Sequence, residues 1–315
     1  MATAISGTDA AYSVKSFGAA RRAFHRSDRF QATAFIAPTC IFLALLTIWP
    51  FIYSVYLSLH AVKLTALQRA VFIGLGNYER LIGDSLFRHA FINTLLLAVA
   101  SIALEILIGF IVAKTFVRLS HLKWVNGLRS LFLLPMMVTP LIVGMTFSYI
   151  FNPVLGIANY LLGRVGVPPV AWFGEPTAAM ISILLISVWQ WTPFMMLLIM
   201  AGLLSIRSDL YEAAYVDGAK WHHVLRFLEI PSIRGIILLG VILRVIDVLR
   251  FFDIVYITTR GGPGDATMVL TLYAYQQNFQ YFQAGVGSAA AVIILFFSIV
   301  ITTFAVRLLR GIEDE

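Results

Sequence analysis

Glu212-Ala213-Ala214-Tyr215-Val216-Asp217-Gly218 is followed, thirteen residues after its glycine, by Pro231, and the whole polar stretch lies between two membrane-length apolar runs. Asp209 can cap a short helix that carries Glu212, because an acceptor followed three positions on by Glu is a helix-start signature. Ala213 and Ala214 are small enough to let another surface come close. Gly218 can end the helix in the left-handed conformation that a C-terminus often needs. Trp221, Val224, Leu225 and Leu228 then stand at helical spacing, which predicts a second short amphipathic helix. Pro231 suits the first turn of whatever follows. The product is a stiff helix-turn-helix joined directly to an apolar run, so force applied to it would move that run. An ordinary amphipathic helix lying on a membrane fits the same pattern.

Outward from this stretch, composition sets the class. Hydrophobic residues make up 60% of 315, charged residues 12%, and mean hydropathy is +0.87. Soluble domains carry about 25% charged residues. A chain this apolar reads as an all-α integral membrane protein, since helices satisfy their own backbone groups in lipid. Six runs are long enough to cross a bilayer, at about 33–59, 91–116, 128–151, 177–203, 235–258 and 285–307. Pro135 and Pro140 in the third and Pro193 in the fourth imply kinks. The lone Cys40 excludes a disulfide within the chain.

Fifteen of the 23 Lys and Arg residues fall on the side that holds both termini and the loop 204–234; six fall on the other side, and Arg244 and Arg250 lie within a span. The positive-inside rule then places both termini, and that loop, in the cytoplasm. The same rule accounts for the net charge of +7, so no nucleic-acid partner is expected. The organisation expected is a basic N-terminal segment 1–32, a membrane domain 33–310 and a cytoplasmic tail 311–315. Residues 1–30 lack an apolar core with a cleavage site, so no removed signal peptide is expected. Residues 13–30 fit either a short basic helix on the inner leaflet or a solvated tail.

Enzymatic signals are missing. There is no G-x-x-x-x-G-K-[ST] phosphate loop, no G-x-S-x-G elbow and no metal-spaced cluster of His, Cys and carboxylate residues. No catalytic residue, metal site or cofactor bound by this chain is expected.

The loop resembles the EAA loop of ABC importer permeases: EAA, three residues, Gly, nine residues, then I-x-L-P, here Leu228-Glu229-Ile230-Pro231. Further motifs are similar to those of carbohydrate-type permeases. They are Phe72-Ile73-Gly74-Leu75-Gly76-Asn77-Tyr78, Phe151-Asn152-Pro153 with Gly156, Asn159 and Tyr160, and Phe252-Asp253 through Tyr256 to Gly261-Gly262-Pro263. The likeness covers about residues 33–310 and looks like the first of two permeases in importers of the maltose and glycerol-phosphate type. It implies a type I importer permease fold with six transmembrane helices, seated in the bacterial inner membrane. It also implies that Asp209, Glu212, Ala213, Ala214, Asp217, Gly218 and Pro231 couple to a separate ATPase dimer, which would hold the ATP and Mg2+. A second homologous permease and a periplasmic or lipid-anchored solute-binding protein are the other implied partners, beside membrane lipid.

For the solute path, the fifth run carries Arg244, Asp247, Arg250 and Asp253 in ten residues. Each charge costs about 2.5–3.5 kcal/mol at the centre of an inserted helix, so the four should pair or line a cavity. At helical spacing Arg244, Asp247, Val248 and Phe251 share one face, with Arg250 and Asp253 away from it. Ser187, Gln190, Trp191 and Phe194 form a matching stripe on the fourth run. Aromatics beside hydrogen-bonding groups suit a polyhydroxyl solute, although the same stripes also serve plain helix packing. In the maltose-type permeases the pocket is built from these stretches, and the resemblance carries the eight residues over as pathway candidates. Met136 and Pro140 join them from the third run. Arg244 leaves room for an anionic solute, such as a phospho- or sulfo-glycoside. An ion-coupled secondary transporter and an integral membrane enzyme are the competing readings.

Overall fold

The computed structural model describes residue 33 and residues 35–313. The basic segment 1–32 and its candidate helix lie outside the described residues. The described residues fall into two compact units, one ending at Tyr56 and the other beginning at Leu57.

Helix α1 (Phe35–Ser58) matches the first apolar run. A two-stranded antiparallel ribbon follows, β1 (His60–Ala61) paired with β2 (Val71–Phe72) around a 3-10 turn at Leu64–Arg69. Among the described residues this ribbon is the small exception to a helical fold. A short α2 (Gly76–Gly83) leads into α3 (Ser85–Arg118), started by Asp84, whose carboxylate accepts from the Leu86 N–H at 2.8 Å. Next come α4 (Val125–Met137), α5 (Pro140–Ile150) and α6 (Ile157–Arg164). The 30-residue α7 (Pro176–Ser205) begins on a proline, as first turns allow.

The polar loop contains α8 (Ser208–Val216). A three-residue turn α9 (Trp221–His223) and a wide π-type turn (Val224–Glu229) then run straight into α10 (Ile230–Val248). Residues 253–258 form α11 (Asp253–Thr258). Finally α12 (Leu270–Tyr275) and a π-type turn (Gln276–Gln280) precede α13 (Ala284–Glu313).

Among the described residues, four helices are long and apolar enough to span a bilayer: α1, α3, α7 and α13. The expected third span is not one helix. α4 and α5 meet at 98° across Val138-Thr139, because Pro140 has no N–H to continue the ladder and holds the residue before it extended. The expected fifth span also breaks. α10 stops at Val248, and Arg250 and Phe251 close a tight turn onto the carbonyls of Asp247 and Val248. Three charges, Arg234, Arg244 and Asp247, lie within the 19 residues of α10.

The core of residues 57–315 forms where α3 and α7 pack. Met195, Met196, Ile199 and Leu203 of α7 are buried with Ala113 and Phe116 of α3, Val125 of α4 and Ile233 of α10. A second cluster, at the other end of α3, joins Phe87 and Ala90 to Tyr273 of α12 and Ala289 of α13.

Candidate functional site

Arg244 projects from α10 into the interior, 1% exposed. Its Nε and Nη2 donate to Glu105 Oε2 and Oε1 on α3 at 2.7 and 2.8 Å, a bidentate pair between buried side chains. Its Nη1 donates to Asp247, one turn along α10. The guanidinium also lies 4.5 Å from the centre of the Trp191 ring on α7. One arginine thus ties α3, α7 and α10 together, with both carboxylates and an aromatic face as partners. Glu105 went unread in the sequence. It is an acidic residue in the middle of the second apolar run, and that isolation was the available signal.

Beside this cluster a cleft is lined by Pro140, Gln190, Trp191, Asp247, Arg250, Phe251, Phe252, Asp253 and Ile254. Five of the ten pathway candidates therefore meet: Pro140, Gln190, Trp191, Asp247 and Phe251. Arg250 and Asp253 meet them too, contrary to the expected separation of faces, because the helix ends at Val248 and the chain folds back. Phe251 for the same reason does not continue the Arg244 face of α10. Arg250 and Asp253 are exposed and make no ion pair among the described residues. The other candidates stand behind or beside the wall. Val248 and Ser187 are buried, Met136 and Phe194 are half-buried, and Phe194 packs edge-on to Trp191 at 6.3 Å. Gln190 donates from Nε2 to the Val138 carbonyl at 2.9 Å, at the α4–α5 break. Its Oε1 and the Ser187 hydroxyl are buried without a hydrogen-bond partner among the described residues. The cleft holds about 60 Å3, room for water but not for a sugar ring.

The loop is built differently. Helix α8 buries none of its side chains, and Glu212, Ala213 and Asp217 are exposed. Asp209 does not cap it. Arg207 occupies the cap position and pairs with Asp209 in the first turn, because the helix starts at Ser208. At the other end Gly218 sits at φ +72, with the Ala219 and Gly218 N–H groups donating to the Ala214 and Tyr215 carbonyls. This is the left-handed glycine stop, with both orphan carbonyls satisfied. The second helix is not separate: it continues through the π-type turn into α10, and Pro231 falls at the start of α10. Glu229 is the hub. It is buried, accepts from Lys114 Nζ of α3 at 2.6 Å, and stands beside Tyr211 of α8. Burial and then the Glu229 carboxylate push the Tyr211 hydroxyl up to about 12.

The remaining motif residues staple loops. Asn77 donates to the carbonyls of Ser58 and His60, and Asn159 binds Pro153, Val170 and the Trp172 indole. Phe252 stacks on Tyr256 at 5.1 Å, and Thr259 meets Thr267 at 2.7 Å below the Gly261-Gly262-Pro263 turn.

Residues 105–314 match the family described as the binding-protein-dependent transport system inner membrane component. The chain belongs to this family. It is 35% identical over 277 residues to the trehalose/maltose transport system permease protein MalF of Thermococcus litoralis, covering 88% of this chain and 92% of that one. It is 34% identical over 285 residues to the sulfoquinovosyl glycerol transport system permease protein SmoG of Agrobacterium fabrum, covering 90% and 91%. The fold matches a chain of a bacterial ABC transporter for alginate import with a TM-score of 0.78, at 22% identity, over 92% of this chain and 99% of that one. This inner membrane component is thus a multi-pass, mostly helical ABC permease, and ATP hydrolysis belongs to a separate subunit.

Proposed function

We propose that this permease forms one half of the path by which an ATP-driven, binding-protein-dependent importer brings a carbohydrate or related polyhydroxyl solute into a bacterial cell. The observation that carries it is α8: an exposed helix, stopped at Gly218 and locked through Glu229 to α3 and α10. Such a helix transmits displacement instead of absorbing it. On this reading Glu212 through Gly218 dock on an ATPase dimer in the cytoplasm, which supplies ATP and Mg2+. A second permease faces the Arg244 cleft, and a periplasmic or lipid-anchored binding protein delivers solute.

The bent α4–α5 pair and α10–α11 complete six crossings, with both termini cytoplasmic. At 19 residues α10 is about 28 Å long, enough to reach across the hydrocarbon core. The segments 1–32 and 311–315 flank the membrane domain 33–310, and the loop 204–234 is its handle.

The sugar class rests on Trp191, Phe251 and Phe252 beside Gln190, Asp247 and Arg250, together with relatives named for trehalose/maltose, lactose and sulfoquinovosyl glycerol. Arg244 is already matched by two carboxylates, so the cluster carries no spare positive charge. A neutral solute fits better than an anionic one. The 60 Å3 cleft is too small alone, so the pocket opens or is completed by the facing permease.

Reconstitution tests the reading. Proteoliposomes with this chain alone should be inert, and uptake should appear only with ATPase, second permease and binding protein together. Ion-gradient-driven uptake by the chain alone would overturn it.

A further inference from the structure

A cleft of about 550 Å3 opens between the β1–β2 ribbon, its 3-10 turn, α2 and the start of α13. Lys63, Arg69 and Arg80 line it with Asn77 and Gln283, and no carboxylate does. All three cations are exposed, and none forms an ion pair among the described residues. Cations collected around a concave surface focus a positive potential and draw anionic groups.

The cleft is far from the coupling handle. Helix α2 leads into the start of α3, whereas Lys114 joins Glu229 about 40 Å further along α3 at 1.5 Å per residue. On the importer reading this end faces outward, where Lys and Arg are scarce. Three of the six outer cations gather at this one place.

The cleft floor is stiff. The Gly285 N–H donates to the Val62 carbonyl at 3.1 Å, and Leu64 N–H to Phe282 at 2.8 Å. A Cβ on Gly285 would sit 2.2 Å from the His60 carbonyl oxygen, so only glycine lets the ribbon lie on the start of α13. Asn77 holds the other flank to Ser58 and His60. An occupant therefore presses on a block fixed to a membrane span.

We propose that this cleft receives acidic side chains of the solute-binding protein. The inference rests on the importer reading, which supplies that partner. A protein surface fits better than a lipid headgroup, because nine of the twelve lining residues come from the stretch 61–80 between the first two apolar runs. The groove suited to an acyl chain, lined by Tyr78 and Ile82 of α2, Phe91 of α3 and Phe296 and Phe297 of α13, shares no lining residue with the cleft. Seating an acidic surface here would convey docking to α13 through the ribbon.

The test uses the assembled transporter in nanodiscs of zwitterionic phosphatidylcholine, titrated with its solute-loaded binding protein while ATPase stimulation is read. K63Q/R69Q/R80Q should raise the half-stimulating concentration about tenfold and flatten its salt dependence, with the plateau rate unchanged. R69K/R80K should keep the wild-type value, showing that charge is what counts. An unchanged half-stimulating concentration in the triple variant overturns the proposal. So does a defect that appears only when anionic phosphatidylglycerol is added, which would assign the cations to lipid. If the wild type itself shows no stimulation by the binding protein, the importer reading falls first and takes this proposal with it.

Discussion

Arg244 and Glu105, 139 residues apart in sequence, close a two-hydrogen-bond pair between α10 and α3 with both side chains out of solvent. Removing Arg244 strands the buried Glu105, whereas Arg244 without Glu105 keeps Asp247. Arg244→Met should therefore cost about 3 kcal/mol or more, as breaking buried pairs does. The double variant E105M/R244M should be more stable than either single one. Thermal melts of the purified complex in detergent decide this, and additive losses would show that the pair is not coupled.

Trp191 offers one ring face to the Arg244 guanidinium and lines the cleft. If an aromatic ring is what the solute needs, Trp191→Phe should keep uptake within about threefold. Trp191→Ala should lower it at least about tenfold at sub-saturating solute, since a stacked ring contributes on the order of 1–2 kcal/mol. Equal losses in both variants, measured as initial uptake rates in proteoliposomes, would remove the stacking role.

Gly218 holds a left-handed conformation that costs a side-chain-bearing residue about 1–2 kcal/mol. Gly218→Val should thus loosen the end of α8 without touching the core. Combined with Glu212→Ala, it should reduce uptake at least about tenfold and uncouple ATPase stimulation, while the assembled complex still purifies. Wild-type uptake from that double variant would refute docking through α8.

Tyr211 titrates near 12 in the folded chain instead of near 10. The folded state then holds a proton that the unfolded state releases, so stability is intact below pH 10 and falls as pH rises from 10 toward 12. Tyr211→Phe should flatten this alkaline loss. Melting temperatures at pH 8 to 12 would show it, and an identical slope in the variant would place the titration elsewhere.

Much of this was legible because apolar length and punctuation are local properties. Four spans and the Gly218 stop follow from runs of about twenty apolar residues and from single Gly and Pro positions. What stayed hidden depended on distant partners. Nothing near Glu105 names Arg244, and nothing near Glu229 names Lys114. The apolar pattern also runs on through Ile254 and Val255, which hid the end of α10 at Val248 and misplaced Arg250 and Asp253. Asp209 looked like a cap because Glu212 lies three residues on, yet Arg207 is the residue that takes the cap backbone. Prolines mark a break in the third run, and Pro140 makes it, but their spacing alone does not give the 98° angle between α4 and α5.

Gln190 has its Nε2 committed to Val138, the residue at the corner between α4 and α5, while its Oε1 has no partner among the described residues. Any swing of that corner must release or re-aim the amide. If Gln190 contacts the solute as proposed, one hydrogen bond would serve both the corner and the passage wall, and opening the passage would change what the wall offers to a hydroxyl. Selectivity and gating in this permease would then be adjusted by the same side chain.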